Sequence, residues 1–104
     1  MLQNITAKVA LVTGGARGLG EAICHTLADA GITIVVADVR LELAEEVAQN
    51  LRDVGKEAMA VSLDVSQAEQ VENVIEKIVS QYGRVDVLVN NAGKQFPQDD
   101  FLNI

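Results

Sequence analysis

"VTGGARGLGEA", residues 12–22, is the stretch that decides the fold. Four glycines fall between Gly14 and Gly20. An apolar run, KVALVTG (Lys8 to Gly14), precedes them, and an apolar spacing of helical period follows. Glycine loses more backbone entropy on ordering than any other residue. A cluster of four therefore implies positive φ angles or a close neighbour. A turn from a buried strand into a helix supplies both conditions. The first N–H groups of such a helix lack partners and carry partial positive charge, which suits a pyrophosphate. The alternative is a tight turn with no ligand.

Outward from the turn, two periods alternate. Leu19, Ala22, Ile23, Thr26, Leu27 and Ala30 recur at helical spacing, and Gly31 stops that helix. ITIVVAD (Ile32 to Asp38) reads as a second buried strand. Leu41, Ala44, Val47, Ala48, Leu51 and Val54 make the next apolar stripe, with Glu42, Glu45, Glu46 and Arg52 off it and Gly55 at its end. AMAVSLDV (Ala58 to Val65) is a third strand. Ser66 with Glu69 has the spacing of a capping box. The helix behind it places Val71, Val74, Ile75, Ile78, Val79 and Tyr82 on one side, and Gly83 closes it. VDVLVNNAG (Val85 to Gly93) is a fourth strand.

The order βαβαβαβ, with strands buried on both faces, predicts a Rossmann-type α/β fold: a parallel sheet with helical crossovers. Right-handed crossovers put the first two helices on one face and the third on the other, giving strand order 3-2-1-4. A ligand belongs at the carboxyl ends of the strands, where the order reverses between strands 1 and 4. Residues 1–93 form one nucleotide-binding βαβαβαβ unit in this reading, and 94–104 a loop that follows it.

Composition narrows the function classes. The chain has 104 residues, 49% of them hydrophobic and only 3% aromatic, so its core is built from Val, Ile, Leu and Ala. A net charge of −7 disfavours nucleic-acid and anionic membrane surfaces. The longest apolar runs fall far short of the ~20 residues of a membrane span. Cys24 is the one cysteine, which excludes an internal disulfide and fits a reducing compartment. No signal peptide is recognisable, so the expected location is cytoplasmic.

The spacing Thr13-Gly14-x-x-x-Gly18-x-Gly20, with Asn90-Asn91-Ala92-Gly93 ending strand 4 and Asp64-Val65 ending strand 3, resembles the short-chain dehydrogenase/reductase family. The likeness covers essentially the whole chain. It implies an oxidoreductase that interconverts a secondary alcohol and a ketone with a nicotinamide dinucleotide. The residues implied in cofactor binding are Gly14, Gly15, Ala16, Arg17, Gly18, Leu19, Gly20, Asp38, Asp64, Val65, Asn91, Ala92 and Gly93. Asp38 ends strand 2, eighteen residues after Gly20, where a carboxylate accepts from ribose hydroxyls and repels a 2′-phosphate. That favours NAD. Arg17 and Arg40 lie near the same place and keep NADP open. By the same resemblance Asp64 takes the adenine amino group, with Val65 packing or bonding through its backbone, and Asn91 lies beside the adenosine ribose. Thr13 is structural, tying the turn to strand 4.

The family's catalytic Asn, Ser, Tyr and Lys all lie beyond its NNAG motif, and a full member is more than twice this length. No catalytic residue and no metal ligand is therefore assigned, and this chain alone is expected to be inactive. Tyr82 is core and not the family tyrosine, because position 86 is Asp86 and not lysine. Cys24 and His25, adjacent on a helix, point about 100° apart and form no nucleophile–base pair. The uncovered apolar strand 4 predicts self-association. Other readings of a glycine turn after strand 1 are an S-adenosylmethionine-dependent methyltransferase, a non-catalytic nucleotide-binding module, a receiver-like signalling domain and a nucleotide-sugar epimerase. The Thr-Gly spacing and NNAG argue against the methyltransferase. Gly14 and Gly15 stand where a receiver needs acids, and Arg17 where the epimerase turn carries glycine.

Overall fold

The computed structural model describes residues 7–91. Along the chain run β1 (Val9–Thr13), α1 (Gly18–Asp29), β2 (Thr33–Asp38), α2 (Leu41–Asp53), β3 (Ala58–Ser62), α3 (Ala68–Tyr82) and β4 (Val87–Asn90). The four strands form one sheet in the order β3-β2-β1-β4, every pairing parallel. This is the order that right-handed crossovers predict.

Alternation along the strands divides the core in two. Ala10, Val12, Ile34 and Val36 face α1 and α2, where Cys24, Ala28, Ala44, Val47, Ala48 and Leu51 meet them. Val9, Leu11, Val35 and Ala37 face α3 through Val74 and Ile78. Both central strands are buried along their whole length, which explains their continuous apolar sequences.

The helix faces differ from the sequence periodicity in detail. In α1 the buried residues are Gly20, Cys24 and Ala28, flanked by the half-buried Ile23 and Leu27. Leu19, Ala22, Thr26 and Ala30, read from spacing as part of the stripe, are exposed. Small residues let the helix axis approach the sheet closely, so the packed face centres on them and not on the largest side chains. Leu41, Val54 and Val79 are likewise exposed at the margins of their helices. Tyr82 is half-buried, its hydroxyl directed at Glu57 Oε2 at 3.4 Å.

The expected capping box is absent. α3 starts at Ala68, with Gln67 as N-cap and no side-chain cap bond. The Ser66 hydroxyl donates instead to Asp64 Oδ1 at 2.7 Å, and the Ser66 N–H donates to the same oxygen at 3.0 Å. A carboxylate two residues upstream is a stronger acceptor than any cap contact available to that hydroxyl, and it forms an Asx-type turn. The turn also ends β3 at Ser62, short of the Val65 boundary that hydrophobicity suggests. β4 starts at Val87 and not Val85. The preceding Asp86 N–H bonds the Val9 carbonyl at 2.8 Å, and its carboxylate takes the Val9 N–H at 2.8 Å. The proposed boundary at residue 93 and the segment 94–104 lie outside the described residues.

Candidate functional site

Register brings the carboxyl ends of three strands level. Thr13 of β1 pairs with Ala37 of β2 on one side and Asn90 of β4 on the other. The glycine turn leaves β1 at this level, and its four glycines have different tasks. Gly14 and Gly18 hold φ of 63° and 52°, the left-handed region that other residues enter at a cost. Gly15 and Gly20 are required by proximity. A Cβ on Gly15 would stand 3.0 Å from the Val12 carbonyl oxygen, and one on Gly20 only 2.0 Å from that of Gly14. The Gly18 position opens onto free space.

Hydrogen bonds to distant segments fix the turn. The Gly15 N–H donates to the Ala37 carbonyl at 3.0 Å. Thr13 Oγ1 lies 3.1 Å from Asn90 Oδ1 and 3.3 Å from the Val89 carbonyl oxygen, two acceptors for its one proton, and it accepts from the Asn91 N–H at 3.0 Å. Asn91 Nδ2 donates to the Gly14 carbonyl at 3.1 Å. Thr13 therefore joins the turn to β4, as its place in the sequence suggests. Asn90 is a member of this network that sequence reasoning did not single out. The doubled asparagine at a strand end was the available signal, since successive residues there point to opposite faces.

α1 opens directly from the turn. Its N-cap, Arg17, is extended (φ −146°, ψ 153°) and makes no side-chain cap bond. The N–H groups of Gly18, Leu19 and Gly20 fall in the first turn, where the helix supplies no acceptor. Leu19 is 69% exposed, and Arg17 is exposed beside it. An uncapped helix start, the open space at Gly18 and a nearby guanidinium fit an anionic group such as a pyrophosphate.

Asp38 lies across from the turn and is 4% exposed. Its Oδ2 accepts from the Ala16 N–H at 3.3 Å and its Oδ1 from the Arg40 N–H at 3.2 Å. Each carboxylate oxygen has capacity for a further donor. The residue thus braces the glycine turn, a role that its position alone did not reveal. Arg40 turns its guanidinium to Glu42, with Nε 3.2 Å from Oε2.

Asp64 and Val65 follow β3, one strand beyond Asp38. Leu63 N–H bonds the Asp38 carbonyl at 3.0 Å, so the two segments stay adjacent. Hydrogen bonds from the Ser66 hydroxyl and then its N–H hold the Asp64 carboxyl below the usual aspartate range. Val65 is half-buried against the α3-side core. The structure therefore joins Gly14, Gly15, Ala16, Asp38 and Asn91 through direct bonds around the turn, starts α1 with Gly18, Leu19 and Gly20, and leaves Asp64 and Val65 at the next strand end. Ala92 and Gly93 lie outside the described residues.

Cys24 is a free cysteine buried in the core. Burial, reinforced by the nearby Glu21, pushes its thiol pKa up to about 12, and its Sγ lies 3.8 Å from the Gly15 carbonyl oxygen. His25 sits at the surface, with Nε2 4.0 Å from Glu21 Oε2.

Comparison with known proteins agrees with this geometry. The family model described as short chain dehydrogenase matches residues 8–103. The uncharacterized oxidoreductase YxjF of Bacillus subtilis is 42% identical over 101 residues, covering 90% of this chain and 39% of its own length. The short-chain dehydrogenase/reductase homolog YusS of the same organism is 40% identical over 100 residues, covering 93% of this chain and 92% of that protein. The crystal structure of a metagenomic short-chain oxidoreductase in complex with NADP superposes with a TM-score of 0.78 at 35% identity, covering 83% of this chain and 39% of that one. The chain thus spans about two fifths of YxjF and nearly all of YusS. No described helix is long and apolar enough to cross a membrane.

Proposed function

Since the chain belongs to the short-chain dehydrogenase family, we propose that its described residues form the dinucleotide-binding part of an NAD(P)-dependent oxidoreductase. The reaction is hydride transfer between the cofactor and a small-molecule secondary alcohol or ketone. The carrying observation is the level placement of the glycine turn, Asp38 and Asn91 at the carboxyl edge of the sheet, where the strand order reverses.

In this reading the N–H groups opening α1, with Arg17, bind the pyrophosphate. Gly14, Gly15, Ala16, Gly18, Leu19 and Gly20 shape that contact. Asp38 takes the ribose hydroxyls, Asp64 and Val65 serve the adenine, and Asn91, with Ala92 and Gly93, borders the adenosine. The cofactor would donate the hydride in ketone reduction and accept it in alcohol oxidation; residues 7–91 would hold the cofactor. Asp38 favours NAD, because a carboxylate repels a 2′-phosphate. The NADP complex of the metagenomic relative keeps NADP as the second choice. In this reading none of the described residues is catalytic, and the chain by itself binds cofactor without turnover.

Residues 1–93 form the binding unit of this proposal and 94–104 its exit. The single, buried cysteine suits a cytoplasmic location. Among the described residues β4 is an edge strand, with Leu88 43% exposed, which supports self-association of the chain.

Calorimetric titration of the purified chain with NADH, then NADPH, tests the cofactor assignment. Saturable NADH binding with weaker NADPH binding is the expected result. A folded chain that binds neither overturns the proposal.

A further inference from the structure

Next to Asp38 the structure holds an ion pair that the cofactor reading leaves unused. The Arg40 N–H donates to Asp38 Oδ1 at 3.2 Å, so its side chain begins two residues past the carboxylate assigned to the ribose. That guanidinium is paired with Glu42, with Nε and Oε2 3.2 Å apart. We propose that Glu42 is a specificity-determining residue of the dinucleotide site. It occupies the Arg40 guanidinium that would otherwise meet a 2′-phosphate, and so reinforces the discrimination begun by Asp38. This inference rests on the dinucleotide reading given above.

Three observations carry it. First, an arginine near the end of the second strand is chemically suited to accept a 2′-phosphate, because its planar fork matches phosphate oxygens. Arg40 has that position, with its Nε already engaged by Glu42. Second, Arg40 is not all that holds Glu42. It lies in the first turn of α2, where the helix start favours negative charge. Its own backbone N–H first, and Arg40 second, keep its carboxyl below the usual glutamate range, so it is ionised at neutral pH. Third, the two arginines near the site differ. Arg17 is exposed and makes no ion pair among the described residues, whereas Arg40 is committed. The arrangement leaves one cation for the pyrophosphate and neutralises the one beside the ribose.

Both partners are largely exposed, which limits the size of the effect. An exposed pair competes weakly with a phosphate dianion, and its release should shift selectivity about two- to five-fold.

The test uses 5′-ADP and 2′,5′-ADP as probes, titrated into the full chain and its Glu42→Gln, Arg40→Ala and doubly substituted forms. Glu42→Gln should tighten 2′,5′-ADP about two- to five-fold and leave 5′-ADP unchanged. The gain should vanish in the Arg40→Ala background, as a coupled pair requires. A gain that survives without Arg40 reports plain charge removal and overturns the inference. So does unchanged 2′,5′-ADP affinity while 5′-ADP still binds, a result that leaves the dinucleotide site standing. A folded chain that binds neither probe overturns the site assignment and this inference with it.

Discussion

At Gly20 an added methyl carbon would meet the Gly14 carbonyl oxygen at 2.0 Å and Asn91 Nδ2 at 2.8 Å. Neither is the end of a free side chain: one is backbone, and the other is tied by the hydrogen bond to Gly14. The turn must therefore open to admit alanine. At Gly18 the same methyl meets nothing within 4 Å, and only the φ of 52° resists it. Gly20→Ala should lower the unfolding free energy by about 3 kcal/mol, at the upper end of overpacking costs. Gly18→Ala should cost about 1 kcal/mol, the penalty of one left-handed residue. Urea denaturation of the two variants beside the parent reads the difference, and equal losses would contradict the division of tasks among the glycines. Asp38 is the other residue with a double duty. Its carboxylate braces Ala16 and, in the proposed function, also takes the ribose hydroxyls, so on that proposal its replacement disturbs the turn as well as cofactor choice.

Among the described strands, β4 is the one with no buried residue. It has four residues. Its base is clasped to β1 by Asp86, whose carboxylate accepts the Val9 N–H and pairs with Arg84, Nε to Oδ2 and Nη2 to Oδ1 both at 2.8 Å. Arg84 first, and the Val9 N–H second, lower the Asp86 pKa from its usual 3.8. A carboxyl titrating lower in the folded than in the unfolded chain stabilises the fold above the unfolded value. That contribution is lost as pH falls through the folded value. Asp86→Asn should therefore destabilise the chain at pH 7, and the gap from the parent should close as pH falls below about 4. Thermal melts across that range check it; a gap that stays constant with pH would remove the ionic part of the clasp. α3 illustrates a different dependence. Its start is set by the Asp64 turn rather than by a capping serine, so that local bond competes with the helix signal.

At the scale of the whole molecule, the described residues form a sheet with unequal cover. α1 and α2 lie on one face, and α3 is the single described helix on the other. Leu88, which pairs with Leu11 in register and so points to the α3 face, remains 43% exposed. An open parallel edge with apolar side chains is a template for further strands. If the proposed self-association uses this edge, sedimentation velocity should show the mean mass rising with concentration. Leu88→Lys should suppress that rise, since a lysine on an edge strand opposes pairing. A monomer with a concentration-independent melt would refute association through β4.

The sequence by itself determined the order of strands and helices, the turn that opens α1 and the strand order of the sheet. Those features follow from short-range periodicity, from glycines at fixed offsets and from the handedness of crossovers, all encoded within a few tens of residues. It also placed Thr13 and Asp38 at strand ends, and the family likeness extended that to Asn91. Tertiary structure alone decided what these residues touch. Asn91 and Gly14 are 77 positions apart, and Ala16 and Asp38 are 22 apart, so only the assembled sheet brings their polar atoms within bonding distance. The same holds for the face that α1 buries. Periodicity points to its large residues, but close approach to the sheet selects Gly20, Cys24 and Ala28, because packing depends on the shape of the opposing surface as well as on hydrophobicity.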